Sequence, residues 1–235
     1  MATSVSVDAV RLHRYTGTVF IVTRQVKRQG RPRTRRAERA EETRRRIVQA
    51  ATDLFLERGY ASTTIHSIAA AADVAVETVY SRFGNKARLV EAILEPAIVG
   101  SDDGRNLFDR PEIGEIRDCP DQRVQVRLLA HFSSGILERT HTAHRILQTA
   151  AASDPNAADL QRRDTRRRTE GQRVYIDMLV QNGPLRDGLT FEQAADTYSA
   201  LSNPATHGFL IRNRGWTSDQ FERWLGDCLE RLLLP

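Results

Sequence analysis

The chain has 235 residues, of which 40% are hydrophobic, enough for one large domain or two small ones with an ordinary buried core. No apolar run approaches the length of a membrane span, and residues 19–22 are too few for the apolar core of a signal peptide, so we expect a cytoplasmic protein without a membrane partner. Cys119 and Cys228 form no CxxC pair, and we predict neither a metal nor a cofactor.

The net charge of +5 is unevenly distributed. Residues 1–46 hold 13 Arg or Lys against 4 Asp or Glu, a net charge of +9, and the remaining 189 residues carry −4. A basic segment ahead of a mildly acidic body is typical of proteins that bind nucleic acid or an anionic membrane surface. An ordinary solvated tail is the alternative.

Residues 1–36 are predicted to be a disordered basic extension. Residues 1–23 have no usable period, and an overlong start of the reading frame is the alternative explanation for them. Residues 24–36 form an arm in which Gly30 and Pro32 break any helix and seven of thirteen residues are basic. We expect Arg33, Arg35 and Arg36 of this arm to contact DNA, because the minor groove attracts arginine.

Four helices are predicted in residues 37–99. The first runs from about 38 to 58 and ends at Gly59, and shorter ones cover 64–72 and 76–83. The fourth starts at Lys86, and Pro96 ends or kinks it. Apolar residues recur at helical spacing throughout, at Ile47, Ala50, Ala51, Leu54, Phe55, Ile65, Ile68, Ala69, Ala72, Val79, Phe83, Leu89, Val90 and Ile93.

Residues 100–120 are rich in Asp, Gly and Pro and are predicted to be an irregular boundary. Beyond them, helical patterns cover about 121–139, 142–152, 156–182, 191–213 and 217–234. No strand alternation is visible. The sequence therefore predicts an all-α protein of about nine helices, with a second, C-terminal domain over 100–235.

The helices at 64–72 and 76–83 are separated by three residues and follow a longer helix, which is the pattern of a helix-turn-helix. A helix that enters the major groove must expose polar side chains from its first turns. Glu77, Thr78, Ser81 and Arg82 can do so, and Tyr80 and Lys86 can reach phosphates. A helical hairpin in the core of an ordinary bundle is the alternative.

The segment RRRIVQAATDLFLERGYASTTIHSIAAAADVAVETVYSRFGNKARLVEAIL resembles the DNA-binding domain of the tetracycline-repressor (TetR) family. The matching features are I-x-x-A-A-x-x-L-F-x-x-x-G-Y over 47–60, then Thr64-Ile65, Ile68-Ala69, Thr78-Val79-Tyr80 and Asn85-Lys86. The resemblance implies that Thr64 caps the second helix and touches a phosphate. It also implies that Lys86 and Tyr80 contact the DNA backbone. Thr63, which could supply the same cap, joins the predicted DNA-binding set, and Val76, Glu77, Thr78 and Ser81 would face bases or nearby backbone.

Three positions depart from the family pattern. Asp73 replaces a turn glycine, and we expect it to adopt the left-handed conformation that Asp tolerates. Ala75 replaces a capping Ser or Thr, and Glu77 in the first turn can offset that loss through the helix dipole. Glu77 has two possible roles that stay open: it accepts a hydrogen bond from a cytosine amine, or it repels phosphates.

The last residues, 189–234, resemble the final two helices of one TetR subgroup, which in that family form a four-helix dimer interface. Their apolar stripes are too extensive for exposed helices and predict a homodimer. An intramolecular core that uses the same faces is the alternative. The predicted interface residues are Tyr198, Leu201, Phe209, Phe221, Trp224, Leu225 and Leu229.

The resemblance implies a transcriptional repressor that binds palindromic operator DNA and is released by a small-molecule effector held among the helices of 121–182. An activator or a nucleoid-associated DNA binder with the same helix-turn-helix is one alternative. A helical enzyme is the other, but the chain contains no nucleophile elbow, zinc-protease motif, Walker loop or dinucleotide fingerprint. We therefore predict that it is not an enzyme.

Overall fold

The computed structural model describes residues 14–15, 18–19, 35–100 and 107–235. The chain divides into two compact units, residues 1–41 and 42–235. In the first unit, strands β1 (Arg14–Tyr15) and β2 (Thr18–Val19) pair antiparallel within the segment predicted to be disordered. Most of the predicted arm, including Arg33, lies outside the described residues.

Helices make up most of the described chain, which confirms the all-α class. Four precede the predicted boundary: α1 (Arg35–Arg58), α2 (Ile65–Ala71), α3 (Val76–Phe83) and α4 (Lys86–Val99). Six follow it: α5 (Pro111–Asp118), α6 (Gln122–Ala151), α7 (Pro155–Gln181), α8 (Phe191–Leu201), α9 (Pro204–Gly208) and α10 (Ser218–Leu233). A 3-10 turn covers Leu107–Asp109, and a π-helical turn covers Phe209–Asn213.

Several predicted boundaries are wrong. Arg35 and Arg36, which the sequence assigns to the arm, are the first residues of α1. Glu38 in the first turn stabilises this helix end through the helix dipole. The patterns at 121–139 and 142–152 are one helix, α6, because no helix breaker separates them. Helix α5 lies in the boundary that the sequence predicts to be irregular; Pro111 begins it, and Ile113 and Ile116 are buried.

The predicted helix at 191–213 is also interrupted. Helix α8 ends at Leu201, and Asn203 caps α9 by accepting hydrogen bonds from the amides of Ala205 and Thr206. Pro204 occupies the first turn of α9, where its missing N–H costs nothing. Helix α4 continues through Pro96 to Val99.

We call residues 42–99, which contain most of α1 and all of α2 to α4, the head. Residues 107–235, which contain α5 to α10, are the body. The head does not complete its own hydrophobic core. Its buried residues, among them Ile47, Ile68 and Leu89, share one cluster with residues from the end of α6 and the start of α7. These body residues are Ala143, Ile146, Leu147, Ala150, Ala157 and Leu160.

A second cluster forms the core of the body and joins α5, α6, α7, α8 and α10. It contains Tyr198, Phe221, Leu225 and Leu229, each no more than 1% exposed. Four residues predicted to lie in a dimer interface are therefore buried within one protomer. The alternative interpretation, an intramolecular core, holds for them.

Helices α6 and α7 are also joined by a buried polar pair. His144 Nε2 lies 3.1 Å from Asp164 Oδ2, and His144 Nδ1 lies 3.1 Å from the Thr140 carbonyl. Burial alone would raise the pKa of Asp164, but the hydrogen bond with His144 and the charges of Arg167 and Arg168 bring it below its usual value. The pair reinforces the apolar contact between the two helices.

His207 in α9 is buried beside Phe221, with the two ring centroids 4.8 Å apart. Neither ring nitrogen has a hydrogen-bond partner among the described residues. Burial, reinforced by the nearby His141, lowers the pKa of His207 to about 4. The neutral imidazole is therefore the form that fits the core.

This burial predicts a dependence of stability on pH. Between about pH 6.5 and 4, His207 is protonated in the unfolded chain but stays neutral in the native protein. Acidification through this window therefore destabilises the fold. His207→Leu should remove about 1–2 kcal/mol of the loss in unfolding free energy across the window. Urea titrations at several pH values measure it.

His131, which is exposed beside Glu222, provides the control. His131→Asn removes a histidine outside the core and shows how much of any change in slope comes from losing an imidazole alone. A His207→Leu protein with the wild-type slope would show that His207 titrates normally.

Candidate nucleic-acid interface

The loop between α1 and α2 has little freedom. Gly59 has φ +79°, a left-handed conformation that suits glycine after a helix end. The buried Thr63 hydroxyl lies 3.1 Å from the Leu54 carbonyl and 2.8 Å from that of Gly59, so it closes the last turn of α1. Because this hydroxyl is used inside the head, we remove the Thr63 side chain from the predicted DNA contacts.

Thr64 begins α2 through a capping box. Its hydroxyl accepts from the Ser67 amide at 3.0 Å, and Ser67 Oγ accepts from the Thr64 amide at 3.1 Å. At the other end of α2, Asp73 has φ +51°, so the left-handed turn expected without glycine is present. The Val74 amide donates to the Ala69 carbonyl and closes this turn.

Helix α3 has one buried and one exposed side. Val79 is fully buried, whereas Glu77, Tyr80, Ser81 and Arg82 are exposed. Val76 and Thr78 are half-buried. No side chain caps α3 at Ala75, and Glu77 lies in its first turn, as the sequence indicated. The arrangement presents a short helix whose polar side chains face solvent.

Lys86, the first residue of α4, is held against the α1–α2 loop. Its Nζ donates to the carbonyls of Tyr60, at 2.8 Å, and Thr63, at 2.9 Å, and lies 4.3 Å from the centre of the Tyr60 ring. Burial lowers the pKa of Lys86, and the charge of Asp154 opposes that shift. Two of its three N–H groups are therefore used inside the protein.

Two residues that the sequence did not single out connect this region to the body. The Tyr60 hydroxyl donates to Asp154 Oδ2 at 2.5 Å, and Asp154 caps α7. Tyr60 and Asp154 are 94 residues apart in sequence. Their only sequence signals were the Gly-Tyr after α1 and the capping-type Asp before Pro155.

A cavity of about 380 Å³ lies at this junction and opens to solvent. It is lined by residues predicted to contact DNA and by Asp154 of the body. The lining residues are Ala61, Thr63, Thr64, Ile65, Tyr80, Gly84, Asn85, Lys86 and Asp154.

Comparison with known proteins identifies the head. Residues 47–93 match the family model described as bacterial regulatory proteins, tetR family. We call residues 47–93 the TetR segment. The TetR segment begins in the middle of α1 and ends within α4, so it includes α2, the turn and α3.

The curated relatives match only about a quarter of this chain. TtgR of Pseudomonas putida is 46% identical over 61 residues, which are 26% of this chain and 29% of that protein. The transcriptional repressor Rv3405c of Mycobacterium tuberculosis is 51% identical over 55 residues, 23% of this chain and 29% of the relative. The match thus spans less than a third of the length of these relatives.

Solved structures resemble the chain over both head and body. NalD of Pseudomonas aeruginosa superposes with a TM-score of 0.64 at 24% identity, over 84% of this chain and 98% of NalD. A SmeT–triclosan complex gives 0.62 at 23% identity, over 83% and 92%. A protein from Saccharomonospora viridis in complex with choline gives 0.61 at 24% identity, over 83% and 99%. The body therefore shares their fold.

The predicted dimer surface is only partly exposed. Phe209 is 54% exposed, and Leu201 and Trp224 are half-buried. Leu232, in α10, is 37% exposed. The apolar surface available to a second copy is smaller than the sequence indicated, because one side of each stripe packs inside the protomer.

The position of Lys86 predicts a contribution to stability. Lys86→Met keeps an apolar stem but leaves the Tyr60 and Thr63 carbonyls without their charged donor. We expect the free energy of unfolding to fall by about 1–3 kcal/mol. Arg88→Met, at an exposed position of the same helical turn, is the control and should cost much less. Equal stability of the two variants in urea would contradict the structural role of Lys86.

Proposed function

We propose that the protein is a DNA-binding transcriptional regulator whose α3 enters the major groove. The observation that carries the proposal is the exposed polar side of α3 on a head that matches the tetR family. Glu77, Ser81 and Arg82 extend from a helix whose opposite side is fixed by Val79. A helix supported in this way can read base edges without losing its own packing.

Phosphate contacts would surround this helix. Thr64, Tyr80 and Lys86 line one cavity beside α3, and hydroxyl and ammonium groups are the usual partners of the DNA backbone. Lys86 has one N–H left for a phosphate after its two carbonyl bonds. Arg35 and Arg36 are exposed at the start of α1, and Arg33 precedes them, so all three remain candidates for backbone or minor-groove contacts.

We infer that the regulator acts as a homodimer, because helix-turn-helix proteins bind two half-sites with two copies. The surface proposed for the second copy consists of apolar side chains that α8 to α10 leave accessible. These are Leu201, Phe209, Trp224 and Leu232.

A small-molecule effector site is proposed in the body. The Tyr175 hydroxyl is buried without a hydrogen-bond partner among the described residues, and burial raises its pKa well above the usual value. The rings of Phe108 and Phe132 lie 5.7 and 5.8 Å from that of Tyr175. A ligand with an apolar body and one polar group would suit these surroundings. Triclosan and choline occupy structures of similar fold.

Repression is the favoured mode, since Rv3405c and NalD are both described as repressors. Activation through the same head is the alternative. TtgR is named as a transcriptional regulator and NalD as a repressor, which supports a regulator over an enzyme. In the part of the chain that the structure describes, no helix is long and apolar enough to cross a bilayer.

Selection from a random DNA library tests the proposed function. We expect the wild-type protein to enrich an inverted repeat. Glu77→Ala should change the preferred bases at one position of each half-site, at about 1–3 kcal/mol per contact, whereas Glu57→Ala, exposed on α1, should not. Failure of the wild type to enrich any sequence would refute the function. An unchanged consensus with Glu77→Ala would remove Glu77 from base readout.

Charged substitutions on the accessible apolar side chains test the dimer. Phe209→Asp or Leu232→Asp should yield monomers and weaken DNA binding, because either places charge in an apolar contact. Leu56→Asp, 39% exposed on the head, is the control. Leu225 is unsuitable, since its substitution would disrupt the protomer core. Light scattering that shows a wild-type monomer would contradict the dimer.

A further inference from the structure

The Tyr60–Asp154 hydrogen bond is a direct polar connection between the head and the turn that joins α6 to α7. Asp154 uses both oxygens: Oδ2 accepts from the Tyr60 hydroxyl at 2.5 Å, and Oδ1 accepts from the Asn156 amide at 2.8 Å. The bond from Tyr60 lowers the pKa of Asp154, and burial together with that carboxylate raises the pKa of Tyr60. The donor and the charged acceptor therefore keep their protonation states at neutral pH.

Tyr60 is also connected to Lys86. The Lys86 ammonium lies over the Tyr60 ring and binds the Tyr60 carbonyl, while its second bond goes to the Thr63 carbonyl. Asp154, Tyr60 and Lys86 therefore form a continuous path from the body to the cavity beside α3. Asp154 and Lys86 both line that cavity.

The segment between Tyr60 and α2 is held by hydrogen bonds to both helices and cannot absorb a displacement. The Thr63 hydroxyl is fixed to the end of α1, and the next residue, Thr64, is fixed to the first turn of α2 by its capping box. The Tyr60 ring is 2% exposed and packs on Phe55, with centroids 5.2 Å apart. A shift of Tyr60 must therefore move Thr64 and Lys86 with it.

We propose that Asp154 is a positioning residue for DNA binding: through Tyr60 it holds Lys86 and Thr64 where they meet the DNA backbone. The inference rests on the proposed function. Asp154 itself contacts no DNA in this account. Because it begins α7 directly after α6, any change in the packing of these two helices reaches the phosphate-binding groups through one hydrogen bond.

Tyr60→Phe is the sharpest test, because it removes only the hydroxyl and keeps the ring, the carbonyl and the cation–π contact. Tyr198→Phe is a matched control: the Tyr198 hydroxyl is also buried and lies 2.6 Å from Ser133 Oγ, but within the body. Both variants lose one hydroxyl hydrogen bond, which is partly buried for Tyr60 and buried for Tyr198. Only Tyr60→Phe breaks the path to Lys86.

The readout is the salt dependence of affinity for a duplex enriched by the wild-type protein, measured well below the unfolding temperatures. Tyr60→Phe should bind about 5- to 50-fold more weakly. Its plot of log affinity against log salt should be shallower by about 1.8, one lost phosphate contact at each half-site. A purely structural role would only reduce the active fraction and leave this slope unchanged. Tyr198→Phe should keep the wild-type slope.

A double-mutant cycle identifies Asp154 as the partner. Asp154→Ala, which also removes the α7 cap, should bind at least as weakly and with the same shallower slope. The double variant should be no worse than Asp154→Ala alone, since the Tyr60–Asp154 bond is already lost. Additive effects would show that Asp154 and Tyr60 act separately. A wild-type slope with Tyr60→Phe would overturn the inference.

Hydrogen exchange without DNA separates this inference from the proposed function. In Tyr60→Phe, the amides of residues 60–64 and 85–88 should exchange faster than in the wild type, and in Tyr198→Phe they should not. Faster exchange in a protein that binds no DNA would refute the proposed function while the connection stands. Unchanged exchange would overturn the connection even if DNA binding were found.

Discussion

The fold depends on a hydrophobic core that the head cannot close by itself. Ile47, Ile68 and Leu89 are fully buried in one cluster with the end of α6 and the start of α7, which pack mainly against α4. The apolar side chains of α4 at this contact would otherwise face water at a cost of roughly 1.5–3 kcal/mol for each large one. Head and body are therefore obliged to stay together, and the position of α3 follows from the position of α6 and α7.

Several polar interactions fix the orientation of the helices at this apolar contact. The capping box at Thr64 and the left-handed Asp73 fix both ends of α2, and Lys86 ties the start of α4 to the loop before it. Tyr60 then joins that assembly to Asp154. Hydrophobic burial has little directional preference, whereas these bonds select one orientation. DNA reading requires a defined orientation, since a displaced helix loses its base contacts.

Much of this could be predicted from local sequence. The periodic apolar residues of α1, from Ile47 to Phe55, fixed the buried side of that helix, and the tolerance of Asp for positive φ anticipated the turn at Asp73. These features depend on neighbours within a few residues. The Tyr60–Asp154 bond could not be predicted, because it joins positions 94 residues apart and each residue alone has an ordinary local explanation.

The predicted dimer residues show a different limit. An apolar stripe indicates that a helix face is buried but not what covers it. Tyr198, Phe221, Leu225 and Leu229 face the body core, and only neighbouring positions such as Phe209 stay exposed. Arg35 and Arg36 illustrate the same point at the N-terminus, since a basic run serves equally as an arm or as the first turn of α1.

We expect two copies of α3 to read DNA from one face of the duplex. A hydroxyl-radical footprint on an enriched duplex tests it most directly. We expect two symmetric protected patches on one face of the helix, with centres about 34 Å apart, one turn of DNA. A single patch, or uniform protection along the duplex, would contradict the account.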